Sequence, residues 1–187
     1  MTDVIQQLRS EHSSMAKLLA ALERQVAVFR DGGSPDYEIM EAVVDYFLDY
    51  PDKCHHPKED LVARKMLESA VDEAGPLQKL VDQHENLAEL ARRFASFVRR
   101  VLDEAELPRD DFVRSANEFI AAQRHHMEME EEHFFPIAEG ALSRGDLADL
   151  DSKLFGTEDP LLDPRAEARF AALRDEILKW EKAGRAE

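Results

Sequence analysis

The chain has 187 residues, of which 34% are charged, and a formal net charge of −16. This charge disfavours nucleic acids and anionic membranes as partners, because their phosphates would repel the protein. The single cysteine, Cys54, excludes an internal disulfide. No run approaches the roughly 20 apolar residues of a membrane span, and residues 1–12 lack the apolar core of a secretory signal. We therefore expect a cytoplasmic protein that spans no membrane.

Glycine and proline divide the chain into long segments without the alternating, β-branched pattern of strands. The composition is typical of an all-α helical bundle. Ser34 and Pro35 fit a helix start, with serine as the cap and proline at the first helical position. We predict four helices, over about residues 3–30, 36–70, 73–104 and 110–141.

The C-terminal part of the chain has a different organisation. Thr157 to Pro164 is typical of a loop, and the segment from Asp163 to Trp180 has the pattern of a fifth, amphipathic helix. We therefore predict a bundle domain over residues 1–142 and a C-terminal extension over 143–187, whose helix packs on the bundle.

Histidines occupy apolar positions in the first and third predicted helices. His12 lies in the stripe between Leu8 and Met15, and His84 precedes Leu87 in the same way. Residues at this spacing share one helix face, so both imidazoles should point into the core.

The second and fourth helices each carry a pair of adjacent histidines. Helical periodicity places His55 and His126 on the apolar stripes and assigns their neighbours His56 and His125 to polar faces. A glutamate follows each inward histidine four residues later, at Glu59 and Glu130, and positions i and i+4 lie on one face. Each helix can therefore direct a nitrogen and an oxygen to one point.

Two carboxylates in an apolar core are costly unless they are paired or bind a cation. Four imidazoles and two carboxylates are too many donors for one ion but suit two ions that the carboxylates bridge. This donor set favours iron, manganese or zinc. Without metal, we expect one or both glutamates to take up a proton or to admit water.

These residues form motifs in a specific order: EH at 11–12, HHPKED at 55–60, QHE at 83–85 and HHMEMEEEHFFP at 125–136. Over roughly residues 5–140 the chain resembles the hemerythrin-like (HHE cation-binding) family. The resemblance implies an up-down four-helix bundle, followed here by the additional C-terminal helix, with two iron ions in a non-haem di-iron centre. It assigns the metal ligands to six residues, with both glutamates as bridges: His12, His55, Glu59, His84, His126 and Glu130.

The chain departs from the oxygen-carrying members of that family. They have a second histidine on the third helix, where this chain has Ala88, and an aspartate where it has Glu131. Glu131 and, by the same logic, Asp60 remain alternative ligands. We expect the remaining histidines to lie beside the ligands or in solvent: His56, His125 and His133. We also expect Pro51 and Pro57 to bend the second helix around the site.

The missing histidine leaves open positions at both ions, which favours sensing, iron handling or redox reactivity over oxygen storage. We therefore expect a di-iron protein that binds, senses or reacts with a small ligand such as oxygen, nitric oxide or peroxide, or that handles iron. One alternative is a di-iron enzyme, either peroxidase-like or an iron donor in iron–sulfur repair. Repair proteins of the family usually carry an extra N-terminal domain, which makes that role less expected. The other alternative is a metal-free interaction scaffold.

Overall fold

The computed structural model describes residues 3–68, 74–103 and 107–153, together with Leu173 and Asp175. This part of the chain is helical and contains no strand, which confirms the all-α prediction. The helices are α1 (Val4–Arg30), α2 (Tyr37–Tyr50), α3 (His56–Glu68), α4 (Ala74–Leu102), α5 (Arg109–Met129), α6 (Phe135–Ala141) and α7 (Arg144–Lys153). Within the same residues, no helix is both long and apolar enough to cross a membrane.

Local hydrogen bonds set the boundary between α1 and α2. Gly32 adopts a φ of 84°, which glycine tolerates without strain, and its neighbour Gly33 donates its N–H to Val28 at the end of α1. The cap of α2 is Asp36, whose carboxylate accepts the N–H of Ile39. The predicted start at Ser34 and Pro35 was therefore two residues too early.

The long helices form a four-membered bundle. Helix α1 packs against α2 and α5, and α4 packs against the same two helices. Helices that follow one another along the chain are therefore neighbours, as in bundles with short connections. Helices α3 and α6 continue α2 and α5 through one wide turn each, so the second and fourth predicted helices correspond to these two pairs.

Both wide turns are π-helical and lie directly before a proline. They span Pro51–His55 and Glu130–Phe134, and the next residue of each donates its N–H five residues back. Pro57 and Pro136 follow immediately. In a regular α-helix a proline ring collides with the carbonyl four residues earlier, so an extra residue in the preceding turn gives it room. The chain continues past both prolines in helical form.

The interior consists of two apolar clusters with a polar layer between them. The larger cluster contains Met15 and Leu19 of α1, with residues of α2, α4 and α5. The smaller one contains Leu8 of α1, with residues of α3, α6 and α7. Along α1, His12 lies between Leu8 and Met15 and marks the level of the polar layer.

The C-terminal part contains a helix that the sequence did not predict. Helix α7 buries Leu150 in the smaller cluster, and Asp146 pairs with Lys65 of α3 at 3.2 Å. The amphipathic helix predicted from Asp163 lies outside the described residues, except for Leu173 and Asp175. Leu173 is buried in the larger apolar cluster. The division into domains at residue 142 stays a prediction.

Candidate metal centre

The polar layer contains all six predicted ligands, and each of the four bundle positions contributes to it. Helix α1 supplies His12, and the first π turn supplies His55, four residues before Glu59 of α3. Helix α4 supplies His84, α5 supplies His126, and the second π turn begins with Glu130. The side chains of both glutamates are fully buried.

The first group of donors lies between α1 and the first π turn. The Nε2 atoms of His12 and His55 are 3.0 Å apart. Glu59 Oε1 lies 2.9 Å from His55 Nε2, and Glu130 Oε2 lies 3.3 Å from His12 Nε2. Donors about 2.1 Å from a common ion are roughly 3.0–3.4 Å apart in octahedral or tetrahedral geometry. Glu59 Oε1 lies further from His12 Nε2, at 3.7 Å. The three shorter contacts are close to the spacing that one ion requires, and one donor atom from each of the four residues lies within 4.8 Å of the others.

The second group uses the other oxygen of each glutamate. Glu59 Oε2 lies 3.4 Å from His84 Nε2, and Glu130 Oε1 lies 3.3 Å from His126 Nε2. Each carboxylate thus directs one oxygen to each group. This is the arrangement in which a carboxylate can bridge two ions.

In the metal-free protein the carboxylates form ion pairs with the surrounding imidazoles, at 2.9 Å for Glu59 with His55 and 3.3 Å for Glu130 with His12. Among the described residues, none is aligned to form a hydrogen bond with any oxygen of Glu59 or Glu130, although imidazole nitrogens lie close. The Nε2 atoms of His84 and His126 are likewise without a hydrogen-bond partner in this part of the chain. Burying six such atoms costs several kcal/mol in total. A bound cation would satisfy all of them, so the donor set fits a metal.

The outer nitrogens of the imidazoles are held by polar side chains. His12 Nδ1 is 3.0 Å from Glu131, and His55 Nδ1 is 2.7 Å from Glu11. His126 Nδ1 lies 3.2 Å from the amide oxygen of Gln83. Metal-binding histidines commonly donate their second N–H in this way, which fixes the ring and leaves the other nitrogen free for the ion.

A buried ion pair lies behind His55. Lys58 is fully buried, and its ammonium donates to Glu11 at 2.5 Å and to the Tyr50 hydroxyl at 3.3 Å. Glu11 therefore joins Lys58 to His55 in one network. The sequence pattern did not indicate this network, although Glu11 and Lys58 both lie within the quoted motifs.

The charges of the group favour protonated imidazoles and ionised carboxylates in the metal-free protein. Burial opposes protonation of His12, but the carboxylates of Glu130 and Glu59 outweigh it and raise its pKa to about 9. For the same reasons the pKa of His84 rises to about 9, and the pKa of His55, beside Glu59 and Glu11, to about 10.

The pKa values of His126, Glu59 and Glu130, the remaining groups of the layer, are lowered. Burial lowers the pKa of His126 to about 4. Burial opposes ionisation of Glu59, yet the surrounding imidazoles hold its pKa well below the usual value, and the pKa of Glu130 is also lowered. The lowered pKa values contradict the expectation that a glutamate takes up a proton, because the neighbouring imidazoles stabilise the carboxylates; the alternative, that the site admits water, stays a prediction.

His56 does not point to solvent, which corrects the assignment from helical periodicity. Its side chain is only 7% exposed, and its ring stacks on that of His84 with centroids 3.7 Å apart and an angle of 7° between planes. One of its nitrogens joins donors of Glu59, His84 and His126 in a group whose atoms all lie within 4.8 Å of one another. The π turn adds a residue before this point, so His55 and His56 both reach the polar layer.

The other predicted neighbours lie further from the group. His125 is exposed, as periodicity indicated, and so is His133. Glu131 contacts the outer nitrogen of His12 and pairs with Arg9 at 3.6 Å, and Asp60 faces Arg64 at 3.9 Å. Cys54 is a half-buried free thiol whose pKa is raised by burial. None of these five belongs to either donor group within the described residues.

A cavity of about 610 Å³ reaches the second donor group from the surface. It is lined by His56, His84 and Ala88, and four carboxylates and Arg92 complete much of its wall. The small side chain of Ala88 leaves room next to His84. A molecule or ion from solvent can therefore approach this side of the polar layer.

The helical bundle and its buried histidine and glutamate donors define a cation-binding protein. The family model described as Hemerythrin HHE cation binding domain matches residues 3–138, and the chain belongs to this family. The predicted resemblance is thereby confirmed. A search of curated proteins found no significant match.

Proposed function

We propose that this protein is a non-haem di-iron protein that binds, senses or reacts with oxygen, nitric oxide or peroxide, or that handles iron. One observation carries the proposal: each of two fully buried glutamates directs one oxygen to the Nε2 atoms of one histidine pair and its other oxygen to those of the second pair. None of these four oxygens has a hydrogen-bond partner among the described residues. A pair of cations bridged by Glu59 and Glu130 would satisfy all four oxygens.

The donor chemistry supports iron as the ion. Both groups consist of imidazole nitrogen and carboxylate oxygen, and Cys54 belongs to neither. Such mixed nitrogen and oxygen sets suit iron, whereas thiolates would favour zinc or iron–sulfur chemistry. Hemerythrin HHE domains bind cations, and iron is often that cation, so the family also favours this choice.

In this proposal the side chains of the site have different roles. Glu59 and Glu130 would contribute oxygens to both ions, and His12, His55, His84 and His126 would complete the sites. Glu131, Glu11 and Gln83 orient three of these rings through their outer nitrogens. When bound, the iron pair supplies the sites and electrons with which oxygen, nitric oxide or peroxide can react.

An anaerobic metal analysis tests the proposal. We expect about two irons per chain after reconstitution with ferrous iron, and a near-ultraviolet charge-transfer band after exposure to air. His125→Ala is the matched control, because this exposed histidine neighbours His126 and should leave the iron content unchanged. Iron content near zero, with no such band, would refute the proposal and favour the metal-free scaffold.

A second candidate is a di-iron enzyme that reduces peroxide, and the cavity favours it. The cavity reaches His84 from solvent and is large enough for a small substrate. Steady turnover of peroxide by the iron-loaded protein with an added electron donor, which supplies the two electrons for each peroxide reduced to water, would support it if it exceeds that of free iron at equal concentration. Binding without turnover would leave the sensing or iron-handling function. The same cavity would allow iron to be released to an acceptor, and transfer to an iron–sulfur apoprotein tests that variant.

A further inference from the structure

His56 is held in the same manner as the predicted histidine ligands. Its Nδ1 lies 3.2 Å from Asp52, one helical turn earlier. His12, His55 and His126 also have their Nδ1 atoms bound to an oxygen outside the layer. A ring that is fixed at one nitrogen presents the other in a defined direction, as metal-binding histidines do.

The ring of His56 lies beside the second donor group. The ring lies parallel to His84 at 3.7 Å and edge-on to His126 at 5.8 Å. A donor atom of His56 lies within 4.8 Å of donor atoms of Glu59, His84 and His126. Opposite ligands of an ion with bonds of about 2.1 Å are about 4.2 Å apart. Because an ion lies near the plane of each imidazole that binds it, the His56 ring must also turn out of its parallel stack on His84 to bind the same ion.

We propose that His56 is a fifth imidazole ligand, bound to the ion at the second position. The inference rests on the proposed function, because it requires that two ions bind. The first position then has four protein donors, from His12, His55 and both glutamates. The second position has five, because His56 joins His84, His126 and the same glutamates. The two ions are therefore coordinated unequally.

His56 lies at the wall of the cavity, so the ion with five protein donors is the one nearer to solvent. The cavity opens beside His56 and His84 and not beside His12 and His55. His56 thus occupies coordination space on the side that solvent reaches. A small ligand that approaches from the cavity meets the ion with fewer open positions.

Proton NMR of the anaerobic, iron-loaded protein counts the imidazole ligands directly. Each iron-bound histidine that retains its outer N–H gives one strongly shifted, solvent-exchangeable resonance. We expect five such resonances in the unaltered protein and four in His56→Gln. The control His125→Ala should keep five. Because the count is made first on the unaltered protein, it does not depend on how well a variant folds.

Mössbauer spectra of the same samples provide the second readout. We expect two distinct ferrous doublets, of which His56→Gln changes or removes only one. Four shifted resonances in the unaltered protein, or identical spectra with and without His56, would overturn the inference and leave His56 as a packing residue or a hydrogen-bond donor to a small ligand. If the unaltered protein binds no iron, the proposed function itself has failed.

Discussion

Loading the metal-free protein with iron should release protons, and the number follows from the charges of the polar layer. At pH 7 His84 and the pair His12–His55 hold protons, because the pKa values of these imidazoles are about 9, 9 and 10. The Nε2 atoms of His12 and His55 face each other at 3.0 Å, so these two rings share one proton. His126 is neutral, since its pKa is about 4. A nitrogen must lose its proton before it binds metal. Full loading at pH 7 should therefore release about two protons per chain, one from the pair His12–His55 and one from His84.

The number of released protons should decrease at higher pH. At pH 9 His84 is half protonated and the proton shared by His12 and His55 is mostly retained, so about one and a half protons should be released. The apparent affinity for iron should rise with pH by about tenfold per unit for each proton displaced. The affinity for iron must rise with pH, because protons and metal compete for the same nitrogens.

Calorimetry under argon measures this release when ferrous iron is titrated into an excess of protein in two buffers of different ionisation enthalpy. The difference in observed heat gives the number of protons transferred to the buffer. His125→Ala should give the same number as the unaltered protein. Release of no protons at pH 7, or of equal numbers at pH 7 and pH 9, would show that these imidazoles are not protonated in the metal-free protein.

Three further predictions concern metal content and stability. Replacement of His55 or His126 by alanine should remove most of the iron, as measured by metal analysis, whereas His125→Ala should retain it. The melting temperature should rise on addition of ferrous iron, and the rise should be larger at pH 8.5 than at pH 6. Lys58→Met should destabilise the metal-free protein by about 3 kcal/mol in urea unfolding, because it leaves Glu11 buried without its lysine partner.

The pH dependence of the melting temperature has two parts with opposite signs. In the metal-free protein the raised imidazole pKa values contribute stability that is complete below about 6.5 and is lost as the pH rises through 9 to 10. Iron binding, in contrast, strengthens with pH as proton competition weakens. A thermal shift of equal size at both pH values would contradict this account.

The other two predictions also have contradicting outcomes. Equal iron loss in His125→Ala and His126→Ala would show that burial does not select the ligands. A Lys58→Met protein as stable as the original would show that the Lys58–Glu11 pair contributes little. The double variant Glu11→Leu, Lys58→Met separates the cost of an unpaired charge from loss of packing, because it removes both charges together.

The helices were predictable because their apolar residues recur with the helical period and proline or glycine marks their ends. The predicted limits of α1 and α4 differ from those observed by one or two residues. Helix α7 was missed because its apolar pattern is weak: Leu150 is its only fully buried residue in the described part of the chain. Its burial depends on contacts with α1 and α3, which the local sequence does not display.

The six predicted donors were brought together because each lies on an apolar stripe. The assignment of His56 to a polar face was wrong because a period of 3.6 residues assumes an unbroken α-helix. One additional residue in the turn Pro51–His55 rotates the following residues by roughly 100° and changes which neighbours face the core. Pro57 was the available signal, since a proline in mid-helix requires some local change in winding. Glu11 and Lys58 were missed because their pairing joins two helices far apart in sequence.

The one-sided cavity has a kinetic consequence for a protein loaded with two ions. A chelator in solution can reach the position beside His84 through the cavity, while the position beside His12 and His55 lies behind it. Removal of metal should then follow two exponential phases of similar amplitude, with the ion nearer the cavity leaving first. The slower phase depends on opening of the bundle, so its rate should follow the unfolding tendency of the protein rather than the chelator concentration. A half-loaded protein would accumulate between the two phases.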